Sequence, residues 1–207
     1  MFKNFQGDIF LTANNWFEHL NLNKYKNKAI NYLEIGVGHG ANLISVANTY
    51  ALHKDSKLYC IDPWKIYDKN IEQYTDNDDI NFNLFIKNIS NTSFYKKIIT
   101  RRGFSHLELL HFPDDFFDII YIDGNDSFSN ILEDAVLSYR KLKKKGILIF
   151  DEHYWGTPDL SKNAIGSFYT CYYNKIKCIG IKDSQIFFIK DSNSEINRFE
   201  QIYIKGF

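Results

Sequence analysis

The sequence predicts an α/β fold built on a mainly parallel, seven-stranded sheet with helices on both faces. Three observations carry that expectation. From residue 30 onward, short apolar runs alternate with stretches of helical periodicity, the pattern of a parallel sheet covered on both sides. A glycine-rich turn, Gly36-Val37-Gly38-His39-Gly40, follows the first apolar run directly. Two last strand-like runs are separated only by residues 181–184, a spacing that makes an antiparallel hairpin.

Taken in order, residues 11–20 predict a helix capped by Thr12 or Asn14. Trp16 and Phe17 would pack against the sheet edge or cover a ligand, and His19 would lie at the surface. The first strand is expected at residues 30–35, and a helix follows the glycines on Ala41, Ile44, Ala47 and Ala51. Further strands are expected at 57–61, 97–101, 117–122 and 147–150. Residues 62–80 show no core stripe and read as a long loop able to act as a lid. Asp76-Asn77-Asp78-Asp79 lacks the glycine and distal glutamate of a calcium loop, so Asp78 or Asp79 is read as a helix cap.

The clearest helix carries Phe128, Ile131, Leu132, Ala135, Val136, Tyr139 and Leu142 on one stripe. It is expected to close on Lys143-Lys144-Lys145-Gly146, cations at its negative end and glycine in a left-handed cap. Thr157-Pro158-Asp159 would start a last helix burying Ala164, Ile165, Phe168 and Tyr172. The hairpin is placed at 175–180 and 185–190. Residues 1–207 are read as one domain, with a helical extension (1–28), a core (29–190) and a tail (191–207) of no assigned purpose.

The formal net charge is +0 and the pI is about 7.0, so no overall field draws nucleic acid. A hydrophobic content of 44% with 17% aromatics excludes a disordered chain. No apolar run reaches membrane-span length, and the first eight residues lack the layout of a signal peptide, so a soluble, cytoplasmic protein is expected. Cys60, Cys171 and Cys178 are odd in number and widely spaced, which suits reduced thiols.

The candidate chemistry begins at the first turn. Glycines there let backbone approach a ligand closely, and many nucleotide-like cofactors bind at such turns. The spacing is G-x-G-x-G, not the dinucleotide G-x-G-x-x-G, and an acidic residue, Glu34, precedes it. Asp62 ends the second strand, 22 positions after Gly40 (62 − 40), where a carboxylate can accept from ribose hydroxyls. Asp123 ends the fourth strand, and Asp151 and Glu152 end the fifth. Ligands of open α/β sheets bind at that edge, and three unpaired carboxylates there would repel one another. An oxygen-bound divalent cation (Mg²⁺, Mn²⁺ or Ca²⁺) would relieve the repulsion. Trp64, Tyr67, Tyr154 and Trp155 are available as an aromatic acceptor wall or as packing.

Residues 31–40, with Glu34 and the three glycines, resemble motif I of the class I S-adenosylmethionine (SAM)-dependent methyltransferases. The segment from residue 15 to 190 resembles the methyltransferase domain 24 group, similar to macrocin O-methyltransferase and distantly to catechol O-methyltransferase. The likeness is carried by Ile122-Asp123-Gly124 and by Asp151-Glu152-His153-Tyr154-Trp155. The resemblance implies a Rossmann-like fold and SAM held by Glu34, Gly36, Gly38, Gly40, Asp62, Phe104, Ser105 and Asp123. It implies metal ligands at Asp123, Asp151 and Glu152. Asp126 stands where relatives commonly have histidine, so Asp123 with Asp126 or His153 is the implied catalytic set.

The activity implied is methyl transfer to a hydroxyl of a small acceptor, such as a sugar or glycan precursor, with a divalent metal. Homo-oligomer formation is left open. Two alternatives stand beside it. The departure at Asp126 suits a SAM-binding protein without turnover. Lys96, Lys97, Arg101, Arg102 and Lys143–Lys145 suit a nucleic-acid methyltransferase, against which the neutral net charge speaks.

Overall fold

β-branched and aromatic runs become strands where expected, and two compact units emerge, Met1–Glu108 and Leu109–Phe207. The computed structural model describes residues 2–9, 12–68, 73–75, 79–125, 127–151 and 160–191.

The first unit opens with the expected helix, Ala13–Glu18, which is a 3-10 helix. Thr12 precedes it without capping through its side chain. The Ala13 N–H donates instead to Asn42 Oδ1 at 2.9 Å. A three-residue turn separates the two neighbouring aromatics. Trp16 is fully buried, its ring 5.6 Å from that of Tyr50 and 6.5 Å from Tyr32, whereas Phe17 is 59% exposed. Of the pair, only Trp16 is a packing residue.

Strand β1 (Asn31–Ile35) runs through the glycine turn into α1 (Ala41–Ala47), every residue of which is buried. Strand β2 (Lys57–Asp62) follows. The segment read as a loop holds a short antiparallel ladder, β3 (Ile66–Asp68) with β4 (Gln73–Thr75), and then α2 (Ile80–Ser90). Asp79 precedes α2 in the left-handed region (φ 60) and makes no side-chain cap; its carboxylate pairs with Arg102. Strand β5 (Ile98–Arg102) and the short α3 (Ser105–Glu108) complete the unit. Its three longer strands lie parallel in the order β5-β2-β1.

The second unit holds β6 (Phe117–Ile122), α4 (Phe128–Lys141), β7 (Leu142–Asp151), α5 (Leu160–Tyr172), β8 (Ile176–Lys182) and β9 (Gln185–Lys190). Strand order is β6-β7-β9-β8, with β6 and β7 parallel and both β9 pairings antiparallel. The seven longer strands make a mainly parallel sheet with the expected C-terminal hairpin. On α4, Ile131 and Ala135 are buried, and on α5 so are Ala164, Ile165 and Phe168. Tyr139 meets Tyr172 at 4.4 Å between ring centroids.

The lysine run does not close the helix. Helix α4 ends at Lys141, and Lys143–Gly146 bulges out of β7 between the pairs Phe117↔Leu142 and Ile119↔Ile147. Lys145, not Gly146, takes the left-handed conformation (φ 64). Gly146 is needed for room: a Cβ there would lie 2.8 Å from the Lys143 carbonyl oxygen. Lys143 pairs with buried Asp118 at 2.7 Å, and Lys145 pairs with Asp191.

The helix end is closed from another strand. Lys190 Nζ donates to the carbonyls of Tyr139 (3.0 Å) and Leu142 (2.6 Å) and to Asp115 Oδ1 (2.9 Å), and sits 4.6 Å from the Tyr139 ring centre. Helix-end carbonyls otherwise lack partners. Lys190→Met is therefore expected to cost about 1–2 kcal/mol, read as a lower urea midpoint with an unchanged slope.

Candidate active site

The glycine turn is built as an opening. The Gly36 N–H continues the β1–β2 ladder to the Ile61 carbonyl at 3.0 Å, and the Gly40 N–H turns back to Val37 at 2.9 Å. Gly40 (φ 88) is packed from behind, since a Cβ there would meet the Phe85 ring at 3.1 Å. Gly38 (φ 51) is the reverse: a Cβ would meet nothing within 4 Å. The turn thus has one packed side and one open side, both in conformations that favour glycine.

Asp62 holds this turn. Its Oδ2 accepts from the backbone N–H groups of Val37 (2.8 Å) and Gly38 (2.9 Å), and its Oδ1 accepts from Trp64 N–H (2.5 Å). Burial pushes its pKa up, while those N–H groups and His39 pull it down. The Trp64 indole N–H donates to the Gly38 carbonyl at 2.8 Å, and its ring is 4.7 Å from Phe85. At 2% exposure Trp64 braces the turn; it is not part of an acceptor wall. Of the two readings open for it, packing is the one observed, with the backbone at a positive φ of 50.

Glu34 lies behind the turn, 1% exposed. Its Oε2 accepts from Tyr32 Oη (2.6 Å) and Asn42 Nδ2 (3.1 Å), and the same amide nitrogen donates to Tyr32 Oη (3.0 Å). Through Asn42 Oδ1 the network reaches Ala13. Burial pushes Glu34 up from 4.5 to about 8, against the hydrogen bonds of Tyr32 and Asn42. Because the folded value is the higher one, the folded chain keeps a proton that the unfolded chain gives up. Stability is therefore complete below about pH 4.5 and is lost as pH climbs through about 8. Glu34→Gln is expected to match wild type at pH 5 and to melt roughly 5 °C or more higher at pH 9, in thermal unfolding followed across that range.

The N-terminal segment is fastened to the same turn. Asn88 on α2 donates to the carbonyls of Gln6 (2.8 Å) and His39 (2.9 Å) and accepts from Gln6 N–H (2.9 Å). The Asp8 N–H donates to His39 Nδ1 at 3.2 Å. Phe104 and Ser105 follow β5, both half-buried, with the Gly103 N–H donating to the Asp62 carbonyl at 3.1 Å.

In the second unit, Asp123 stands just past β6 and Asp151 ends β7. The register Ile122↔Phe150 places these two positions one step further along neighbouring strands. Asn125 Oδ1 accepts from Ser127 N–H at 2.9 Å and turns the chain into α4. Asp151 Oδ2 accepts from Tyr121 Oη and from Gln185 Nε2 (2.9 Å), and Gln185 Nε2 also donates to Tyr121 Oη (3.2 Å). Asp151 Oδ1 is buried with no hydrogen-bond partner among the described residues. Asp126, Glu152, His153, Tyr154, Trp155 and the 192–207 tail lie outside those residues, as does the Tyr67 side chain. Among the described residues no three His, Cys, Asp or Glu side chains are grouped as a metal centre.

Sequence reasoning missed Asn42, Asn88, Tyr121 and Gln185. The last two carried a weak signal: each adds a hydrogen-bonding group to a strand made mostly of apolar residues, Phe117–Ile122 or Gln185–Lys190. All three cysteines are free, and burial pushes Cys60 up to about 12 and Cys178 to about 11. Among the described residues no helix is long and apolar enough to cross a membrane.

This sheet order, with a glycine turn after β1 and carboxylates ending β2, β6 and β7, defines the class I SAM-dependent methyltransferase fold. Solved structures share it. An O-methyltransferase from Bacillus cereus in complex with S-adenosylhomocysteine (SAH) matches with a TM-score of 0.63 at 16% identity, over 91% of this chain and 85% of that one. TomG from Streptomyces achromogenes, involved in tomaymycin synthesis and in complex with SAM, matches at 0.59 and 14%, over 82% and 77%. The MycE methyltransferase of the mycinamycin pathway, in complex with Mg and SAH, matches at 0.55 and 19%, over 87% and 49%. At these identities the likeness is one of fold. The methyltransferase domain family, group 24, matches residues 33–153, more than half of the chain, and the chain belongs to that family of SAM-dependent methyltransferases. No curated protein matches it.

Proposed function

We propose that this chain is an O-methyltransferase that moves the methyl group of SAM to a hydroxyl of a small acceptor, a sugar or glycan precursor, with a divalent cation at the acceptor. The observation that carries the reading is the Asp62 carboxylate fastened to a glycine turn whose outer side, at Gly38, is open. A carboxylate offers about four acceptor positions. Val37, Gly38 and Trp64 take three at Asp62, and the fourth is assigned to a ribose hydroxyl. The backbone from Gly36 to Gly40 would line the cofactor, Phe104 and Ser105 would hold the adenine, and Glu34 would serve through the turn it braces.

The acceptor side is assigned to Asp123, Asp151 and Glu152. A buried carboxylate oxygen without a donor, Asp151 Oδ1, fits a cation site, and an all-oxygen set suits Mg²⁺ or Mn²⁺. The Mg and SAH of MycE support the same reading. A divalent cation held there would supply Lewis acidity and lower the pKa of an acceptor hydroxyl. Asp123 would orient that hydroxyl, and Asp126 or His153 would take its proton. Much of the remaining acceleration would come from the grip of Asp62 and the glycine turn, which fixes the line of approach.

Methyl-labelled SAM offered with hydroxylated sugars and catechols is the test. Label on acceptor oxygen, lost on chelation and restored by Mg²⁺, is expected. Label on nitrogen or nucleic acid, or no transfer to any hydroxyl, would contradict the O-methyltransferase assignment. Transfer that survives chelation would contradict the cation alone.

A further inference from the structure

We infer that Tyr121 and Gln185 are positioning residues for Asp151, holding one carboxylate oxygen so that the other faces the acceptor-side cation. The inference rests on the cation reading above and extends it to two residues on strands of the second unit.

Strand register brings the three side chains together. Asp151 and Gln185 are directly paired across β7 and β9, and Tyr121 on β6 pairs with Ile149, two residues before Asp151 and so on its face. Tyr121 and Gln185 are each 1% exposed, so neither was placed in the strands by solvent. A tyrosine hydroxyl and a glutamine amide inside apolar strands cost stability unless they are bonded. Here they bond each other and one oxygen. Tyr121 Oη donates to Asp151 Oδ2, and Gln185 Nε2 donates to that same oxygen and to Tyr121 Oη.

These bonds use the tyrosine hydroxyl hydrogen and both amide hydrogens. All of that donor capacity serves one side of the carboxylate. Oδ1, buried and without a partner among the described residues, is left on the other. Tilting the carboxylate plane would break the Oδ2 bonds, so the pair fixes the direction in which the second oxygen meets a ligand. A purely structural network would spread its donors over both oxygens, because an unsatisfied buried acceptor costs about 1–3 kcal/mol.

Mn²⁺ binding followed by electron paramagnetic resonance tests this on the full chain, with SAH affinity and urea unfolding measured alongside. Tyr121→Phe and Gln185→Met are each expected to weaken Mn²⁺ binding about 10- to 100-fold with SAH affinity unchanged, and Asp151→Asn to remove Mn²⁺ binding. A merely structural role would lower the unfolding midpoint and leave Mn²⁺ affinity alone, which overturns the inference. So does an Asp151→Asn chain that binds Mn²⁺ like wild type. If the wild-type chain binds no Mn²⁺, the cation reading itself fails and carries this one with it. Should one of the two variants not fold, the other decides.

Discussion

Replacing Asp62 with alanine is expected to weaken SAM and SAH binding about 100-fold or more while the chain stays folded. The change deletes the acceptor for Val37, Gly38 and Trp64 N–H groups, along with the position assigned to the ribose. The one hydrogen bond assigned to the ribose is to a charged group and contributes about 1.5–3 kcal/mol, one to two powers of ten, and the loosened turn supplies the rest. The glycine turn would also be released: Gly38 and Gly40 have positive φ, and Asp62 is a main tie between β2 and that turn. Asp62→Asn should fall between, because it keeps one acceptor oxygen and turns an amide toward N–H donors. Isothermal calorimetry with SAH reads both, and an Asp62→Ala chain that binds SAH normally would refute the ribose assignment.

Asp151→Asn is expected to cost about 100-fold or more in methyl transfer with SAH affinity unchanged and with stability equal to or above wild type. The amide has two ways to sit. With its oxygen toward Tyr121 and Gln185, it presents an N–H donor where Oδ1 stood, and a cation cannot use it. With its nitrogen toward them, it sets donor against donor at Gln185 Nε2. The first arrangement is the better one, and it exchanges an unpartnered buried carboxylate oxygen for part of a neutral amide. Loss of activity together with retained or raised unfolding temperature is the signature of a group kept for function. An Asp151→Asn enzyme with wild-type rates would take Asp151 out of the acceptor side.

The parts of this fold legible in the sequence are those set by local pattern. The apolar run before the glycines, the run at 117–122 and the closing hairpin lie where periodicity placed them, because strand period and turn chemistry are read within a few residues. The Lys143–Gly146 segment misled because cations followed by glycine end many helices. Which residue takes the positive φ was decided by Leu142 pairing with Phe117 and by the crowding at Gly146. Trp64 could be read as acceptor wall or as packing; that it packs depends on Phe85 and the Gly38 carbonyl, 21 and 26 residues away (85 − 64; 64 − 38). The carboxylates Asp62, Asp123 and Asp151 were legible because strand ends are. Their partners were not: Gln185 meets Asp151 only through β7–β9 register, which no stretch of sequence displays.

In the proposed function the glycine turn and the Asp62 carboxylate together grip an adenosyl group. A crystal structure of the chain grown with SAH is predicted to show a ribose hydroxyl on Asp62 Oδ1 and the cofactor against the open side of Gly38. SAH seated elsewhere, or a ribose with no bond to Asp62, would contradict it.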